Sequence, residues 1–263
     1  MSDNDPLQRG PDGDLLQLIH QRTPARLLVG RAGSAYTTAT QLQLRSDHAR
    51  ARDAVWRVLD PAADFGPEFI AAWDLLEVHT RARSKTEFLL NPALGRELDA
   101  ASAKQVTEQC GAGADLQIVI GDGLSAEAVA VQVPALLPLL VREAQDRSWR
   151  LGRPFVVHQC RVGAMNHVGE LLRPRIVVLL IGERPGMSAA DSLSAYMAYQ
   201  PRGGHSDADR NLISNIHSRG ISAKHAARRI VNLAAECMRA ARSGALVKEP
   251  SLPDSSHSLS DGV

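Results

Sequence analysis

The sequence predicts an α/β protein in which a helical N-terminal region precedes a Rossmann-like domain built on a parallel sheet. Three short apolar segments support this fold class, namely residues 115–120, 154–160 and 176–181. They are rich in β-branched residues, and they end at glycines or charged loops, as strands buried on both faces do. Helical segments follow the strands, and such alternation is typical of parallel sheets.

Residues 1–110 lack that alternation, and most of this region is predicted to be helical. Residues 1–13 combine proline, glycine and acidic residues with little to bury, so they are predicted to be a disordered tail. Residues 14–110 are predicted to form a mainly helical domain. Helices are expected at residues 15–19, 37–59, 68–76 and 94–110, with short extended segments at residues 77–80 and 86–90.

Residues 111–242 form the predicted Rossmann-like domain. Pro134 and Pro138 are expected to divide or kink the helix that begins at Ala126. Residues 193–199 fit either a fourth strand or a loop. Further helical segments are predicted at residues 168–172, 210–217 and 222–242, and the Ser/Pro-rich residues 243–263 are predicted to be disordered.

The composition excludes several classes of protein. The chain has 263 residues and a formal net charge of +1, so no global field attracts it to nucleic acid or to a membrane surface. No apolar stretch approaches the roughly 20 residues of a membrane span. Three widely separated cysteines and a polar N-terminus without a secretory signal predict a cytoplasmic protein with reduced thiols.

A candidate ligand site lies where the third predicted strand ends. Glu183 and Arg184 follow the strand at residues 176–181, and open α/β sheets bind ligands beyond the carboxyl ends of their strands. The alternative is a tight turn with two solvated charges. Both interpretations stay open on the sequence pattern of this turn.

The segment at residues 121–126 satisfies the pattern G-x-G-x-x-A between a strand and a helix. Asp122 argues against a pyrophosphate on this loop because like charges repel, and no acidic residue ends a second strand at the spacing of a dinucleotide site. The nine histidines show no local zinc spacing, and no nucleophile set or Walker loop is present. The sequence therefore predicts a subunit that holds a cofactor or regulates a partner, rather than a complete enzyme.

Five short sequence motifs carry a resemblance to one protein family. The motifs are VGRAG at residues 29–33, DGLS at 122–125, GERPG at 182–186, YQPR at 199–202 and DRNLISNIH at 209–217. They occur in the same order as in the small (light) subunit of ethanolamine ammonia-lyase, and the resemblance covers roughly residues 20–242.

This resemblance implies a lyase that converts ethanolamine to acetaldehyde and ammonia by a radical mechanism with adenosylcobalamin. It implies a large subunit that carries the substrate site, six copies of each subunit, and a small subunit that is not active alone. The cofactor would lie between the two subunits, and some relatives are packaged in a bacterial microcompartment. No catalytic residue and no metal ligand are then expected on this chain.

The resemblance also places cofactor contacts residue by residue. It implies that Val162, Glu183 and Leu212 contact the cobalamin, and Arg161 and Arg184 are neighbours that would reach amide oxygens or the phosphate of its nucleotide loop. At Leu212 relatives often have cysteine, so a backbone contact is expected there. Because the string D-x-H-x-x-G is missing, the cofactor is expected to be base-on, with none of the histidines on cobalt.

Two other functions are kept as alternatives. A self-sufficient Rossmann-type enzyme would bind a nucleotide cofactor at residues 121–125. A scaffold subunit would never touch the cofactor, and changes at Val162 or Glu183 would then leave cobalamin binding unchanged.

Overall fold

The computed structural model describes residue 15, residues 17–19, residues 29–186 and residues 191–249. The predicted tail at residues 1–13 and most of the predicted tail at residues 243–263 lie outside this part. The helices are α1 Thr38–Trp56, α2 Pro61–Asp64, α3 Pro67–Trp73, α4 Lys85–Leu90, α5 Ala100–Gln109, α6 Ala126–Gln145, α7 Ala164–Leu172 and α8 Ala223–Ala240. The strands are β1 Arg31–Ala32, β2 Ala35–Tyr36, β3 Leu76–His79, β4 Leu116–Gly121, β5 Phe155–His158, β6 Ile176–Gly182, β7 Leu193–Tyr199 and β8 Asn211–Ile216.

The protein has an α/β fold with a mixed six-stranded sheet. The strand order is β3-β5-β4-β6-β7-β8, and the small β1–β2 ribbon is separate. The first four strands of this order are parallel, but β7 is antiparallel to both of its neighbours. The prediction of a parallel sheet is therefore wrong for β7, because residues 183–192 and 200–210, which join it to β6 and β8, are too few for the crossover that parallel strands need.

Helices cover both faces of the sheet. One apolar cluster joins α6 and α8 to one face, and a second joins α5 and α7 to the other. All residues of β4 and β6 are buried, which explains why these strands read as continuous apolar runs rather than alternating ones. Within the described residues, no helix is both long enough and apolar enough to cross a membrane.

Helix α6 shows how packing outweighs local preference. It runs unbroken from Ala126 to Gln145 although Pro134 and Pro138 lie inside it, so the expected division is wrong. Ser125 caps its start, since its hydroxyl oxygen accepts a hydrogen bond from the N–H of Ala128 at 3.1 Å. Nine of its residues are buried, and this apolar face stabilises the helix despite the two missing N–H donors.

Two local predictions are wrong, each for a physical reason. The segment expected to be extended at residues 86–90 lies in α4, which begins where the Ser84 hydroxyl accepts from the N–H of Glu87. The helical turn expected at residues 210–217 is β8. Its buried Ile213 and Ile216 are three residues apart, as on a helix, because a bulge places two residues of β8 opposite one residue of β7.

Two further segments join the sheet or pack on it. Residues 77–80 contribute to β3, which pairs with β5 although it belongs to the region expected to be mainly helical. Residues 243–249, expected to be part of a disordered tail, pack on the body: Val247 is buried and Glu249 pairs with Arg229 at 2.6 Å. The boundary predicted between residues 110 and 111 stays a prediction.

Candidate functional site

A cleft of about 360 Å³ opens at the carboxyl edge of the sheet. Its walls come from the loops that follow β4, β5 and β6 and from residues of β7 and β8. The chain leaves β4 toward β5 on one side and later adds β6 on the other side, so the cleft lies at the point where the direction of strand addition reverses. Such points are where open α/β sheets bind ligands.

All four residues predicted to contact a cofactor line this cleft. Arg161 and Val162 follow β5, Glu183 follows β6, and Leu212 lies on β8. Leu212 is 47% exposed, so its surface is available to a ligand or partner. Arg184 also lines the cleft. Residues that are far apart in the chain therefore lie together at one edge of the sheet.

The carboxylate of Glu183 is held by three hydrogen bonds. Its Oε2 accepts from the hydroxyl of Ser192 at 2.9 Å. Its Oε1 accepts from the hydroxyl of Ser194 at 2.7 Å and from the backbone N–H of Asn215 at 3.0 Å. Glu183 therefore joins the end of β6 to β7 and β8. Since an ionised carboxylate offers about four acceptor positions, one remains for a ligand.

The glycine-rich loop after β4 is closely packed. The buried carboxylate of Asp122 accepts hydrogen bonds from the backbone N–H groups of Gln159 and Cys160, at 3.0 and 2.9 Å. Gly123 has a φ of +59°, and a Cβ there would overlap the carbonyl oxygen of Gly182. The N–H of Leu124 donates to that same carbonyl at 3.1 Å. These contacts fix the loop between β4 and β6. The close packing and the carboxylate of Asp122 do not favour a pyrophosphate site there.

A stack of two cations and a ring supports the cleft from α4. The guanidinium of Arg161 lies 4.2 Å from the centroid of the Phe88 ring, and the ammonium of Lys85 lies 5.1 Å from it. Lys85 is buried and donates to the carbonyl of Gly123 at 3.2 Å. Burial lowers the pKa of Lys85, with Asp122 opposing and Arg161 adding to the shift. The sequence did not mark Lys85 or Phe88 as site residues: residues 86–90 were predicted to be extended, and Lys85 lies just before that segment.

Tyr196 was also missed, since nothing but its place on a strand marks it in the sequence. It lies opposite Leu212 in the β7–β8 pair and lines the cleft. Partial burial raises the pKa of its phenol, and the carboxylates of Asp207 and Glu183 add to this effect. The phenol therefore stays protonated at neutral pH and can donate a hydrogen bond.

The thiol and the two carboxylates at the cleft are buried or hydrogen-bonded. Burial raises the pKa of the Cys160 thiol well above its ordinary value, so this lining residue is no nucleophile at neutral pH. Glu183 and Asp122 are engaged in hydrogen bonds. No cluster of three or more potential metal ligands occurs among the residues that the structure describes. The available groups are guanidinium donors, hydroxyls and apolar surface.

Comparison with known proteins gives one consistent result. Residues 13–248 match the model of the family described as ethanolamine ammonia-lyase light chain. The chain is 40% identical over 236 residues to the ethanolamine ammonia-lyase small subunit of Ralstonia nicotianae, covering 89% of this chain and 87% of that relative. Identity to the small subunit of Rhodopseudomonas palustris is 40% over 237 residues, covering 90% and 91%. For Bradyrhizobium diazoefficiens it is 42% over 236 residues, covering 87% and 88%.

Proposed function

This chain belongs to the family of ethanolamine ammonia-lyase small (light) subunits, and we propose on that premise that its cleft holds part of adenosylcobalamin against the large subunit. Family members work as one subunit type of a lyase complex. The observation that carries the proposal is the convergence of Arg161, Val162, Glu183 and Leu212 on one cleft at the carboxyl edge of the sheet.

The residues present fit such a cofactor. Cobalamin is rimmed by neutral side-chain amides, which both accept and donate hydrogen bonds, and the cleft offers guanidinium donors, serine hydroxyls and one carboxylate. The Nε of Arg161 is buried and has no hydrogen-bond partner in the described part of the chain. A cleft of about 360 Å³ accommodates only a portion of so large a molecule, which supports a cofactor shared with a second subunit.

The proposed contacts have distinct roles. Glu183 accepts a hydrogen bond from a corrin amide through its remaining lone pair, while its three internal hydrogen bonds fix its direction. Arg161 donates to an oxygen of the cofactor. Val162 and Leu212 give apolar contact and, through their backbone, polar contact. Leu212 supplies no thiol, so its side chain contributes surface alone.

A base-on cofactor is supported by the lining of the cleft. None of the described residues that form its wall is a histidine. The benzimidazole of the cofactor would therefore stay on cobalt. Nitrogen hyperfine coupling from a protein histidine in the cobalt(II) spectrum of the assembled enzyme would contradict this assignment.

The division of labour follows from these contacts. When bound, adenosylcobalamin supplies the radical chemistry by which ethanolamine becomes acetaldehyde and ammonia. The large subunit carries the substrate site, and the present chain contributes no acid, base or nucleophile. Its residues orient the cofactor and exclude water from one side of it. Alone, the chain has no lyase activity.

The architecture fits the same proposal. Parallel strands β3 to β6 with helices on both faces form a Rossmann-like core, to which β7 and β8 add an antiparallel edge. Residues 111–242 are proposed as the cobalamin-binding domain and residues 14–110 as the region that docks on the large subunit. The complex is proposed to contain six copies of each subunit.

The test is a pair of measurements on Glu183→Ala in complex with the large subunit. We expect adenosylcobalamin affinity to fall by about tenfold, because one hydrogen bond to a charged group is lost and its neighbours lose their anchor. Turnover at saturating cofactor should stay near that of the unaltered complex. Glu143→Ala, a change near the carboxyl end of α6 and outside the proposed docking region, is the control and should alter neither quantity.

Two results would contradict the proposal. Normal cofactor affinity with lost turnover in Glu183→Ala would give this chain a role in the chemical step. Unchanged affinity and turnover would favour the scaffold alternative. Thermal unfolding of the same variant separates loss of contact from loss of fold. Binding of NAD or S-adenosylmethionine by the isolated chain would favour the self-sufficient enzyme instead.

A further inference from the structure

Three arginines meet beside the cleft, and in the described part of the chain they have no carboxylate partner. Arg96 lies on the turn before α5, Arg161 follows β5, and Arg184 follows β6. Within the described ranges, none of the three forms an ion pair. Arg184 and Arg96 both act on Arg161 as like charges and lower its pKa, after the larger effect of burial. Repulsion between these like charges destabilises the folded state. The cluster therefore indicates a role in binding rather than in stability.

The nearby carboxylates do not neutralise this cluster. Asp122 receives two backbone N–H groups inside the sheet edge. Glu183 receives two hydroxyls and one backbone N–H. Both acids are turned toward partners of their own, and the three guanidinium groups keep a net positive field at the mouth of the cleft.

The start of α7 adds backbone donors at the same place. Its N-cap residue, Gly163, makes no side-chain cap, and in the described part of the chain the N–H groups of Val162 and Gly163 have no acceptor. A Cβ on Gly163 would lie 2.8 Å from Cγ of Arg96, so the stem of that arginine lies directly against the helix start. Unpaired N–H groups and the positive end of the helix dipole favour an anion there.

Arg161 is fixed in this arrangement before any ligand arrives. Its Nη2 donates to the carbonyl of Phe88 at 3.3 Å, and its guanidinium lies on the Phe88 ring at 4.2 Å. Its backbone N–H donates to the carbonyl of Gly95 at 2.8 Å. The buried Nε is left without a partner. A guanidinium held this firmly with one donor unused is prepared for an acceptor.

We propose that Arg96, Arg161, Arg184 and the uncapped start of α7 form a subsite for a single phosphodiester. This inference rests on the proposed function and makes it more specific. The side-chain amides of the corrin are neutral, and the phosphodiester of the nucleotide loop is the group of the cofactor that carries a negative charge at neutral pH. The nucleotide loop therefore lies over α7, and Glu183 and Leu212 face the corrin side of the cofactor.

The test compares two cofactor forms in complexes with the large subunit. Adenosylcobalamin contains the nucleotide loop, and adenosylcobinamide lacks it. We expect Arg161→Gln and Arg96→Gln each to weaken adenosylcobalamin binding by about tenfold or more, because each removes charged donors to phosphate, and to leave adenosylcobinamide binding unchanged. Arg228→Gln, on the exposed face of α8, should change neither affinity.

Each outcome decides the matter. Equal weakening of both forms would show that the arginines support the cleft in general and would overturn the phosphodiester subsite. Unchanged affinity for both forms would overturn it as well. Failure of the unaltered complex to bind either form would instead remove the proposed function itself. Salt dependence gives an independent test. If the subsite is real, rising salt should weaken adenosylcobalamin binding to the unaltered complex, and it should weaken binding to the arginine variants less.

Discussion

The two ends of the sheet treat charge in opposite ways. At the amino end, Asp115 accepts a hydrogen bond from the backbone N–H of Arg150 at 2.9 Å and pairs with Arg175 at 3.2 Å. At the carboxyl end, Arg161 and Arg184 are close enough to repel each other and form no ion pair with any described residue. The amino end satisfies its own charges, and the carboxyl end leaves them for something else.

This difference separates stability from binding within one sheet. The hydrogen bond from Arg150, and then the interactions with Arg175, lower the pKa of Asp115, so its ionised form favours the folded state. Burial beside Arg184 and Arg96 lowers the pKa of Arg161, so its charged form is disfavoured by folding. Substitutions at the two ends should therefore differ in sign and in what they affect.

The largest expected effect tests whether the carboxyl end is loosely built. A Cβ at Gly182 would overlap the carbonyl oxygen of Ser125, which belongs to the backbone and cannot move aside easily. We expect Gly182→Ala to destabilise the fold by roughly 2–4 kcal/mol, measured by urea unfolding. Gly203→Ala is the control, because its Cβ would meet only the flexible side chain of Glu170, at 2.8 Å. A loss as small as that of the control would mean that this edge can relax.

The intermediate effect concerns the amino end and depends on pH. Asp115→Asn should cost about 0.5–1 kcal/mol at pH 7, since the pair is partly exposed. The folded pKa of Asp115 is below the ordinary value of 3.8, so this stabilisation is complete above that value and disappears as the pH falls through the folded pKa. Urea unfolding at neutral and acid pH should show the gap narrowing on acidification. A gap that stayed constant would contradict the assigned role, and Asp53→Asn on exposed α1 serves as the control.

The smallest predicted effect concerns the repulsion between Arg184 and Arg161 at the carboxyl end. Arg184→Gln should change the free energy of unfolding by less than about 0.5 kcal/mol, and toward greater stability, because it removes repulsion with Arg161. Arg175→Gln at the opposite end should destabilise, because it removes a partner of Asp115. Clear destabilisation by Arg184→Gln in urea unfolding would mean that the carboxyl end does pair its charges within the fold.

The parts of the site that depend on one strand and the residues just after it could be predicted from the sequence. The apolar runs of β4, β5 and β6 are fully buried, and their carboxyl ends meet, so Glu183 and Arg184 could be placed at a ligand-binding edge from the strand pattern alone. The resemblance added Arg161, Val162 and Leu212. Both inferences required no knowledge of how distant helices pack.

The features that depend on long-range packing could not be foretold. Lys85 and Phe88 reach the cleft from α4, and no local pattern links them to Gly123 or Arg161. The bulge in β8 gave its buried residues a helical spacing, with Asn215 at a φ of +66° where the extra residue lies. The register of such a strand is set by its neighbour β7, which the sequence of β8 alone does not contain.

The position of β3 in the sheet affects how the chain folds during its synthesis. Among the described strands, β3 pairs with β5 alone, and β5 follows it in the chain after α4, α5, β4 and α6. During synthesis β3 therefore leaves the ribosome before its neighbouring strand, and it has no strand partner until β5 has emerged. Its Leu76 and Val78 are buried in the finished sheet, so the nascent chain exposes them in the meantime. The order of translation thus leaves β3 unpaired while β4 is made, and β3 can join the sheet as soon as β5 has emerged.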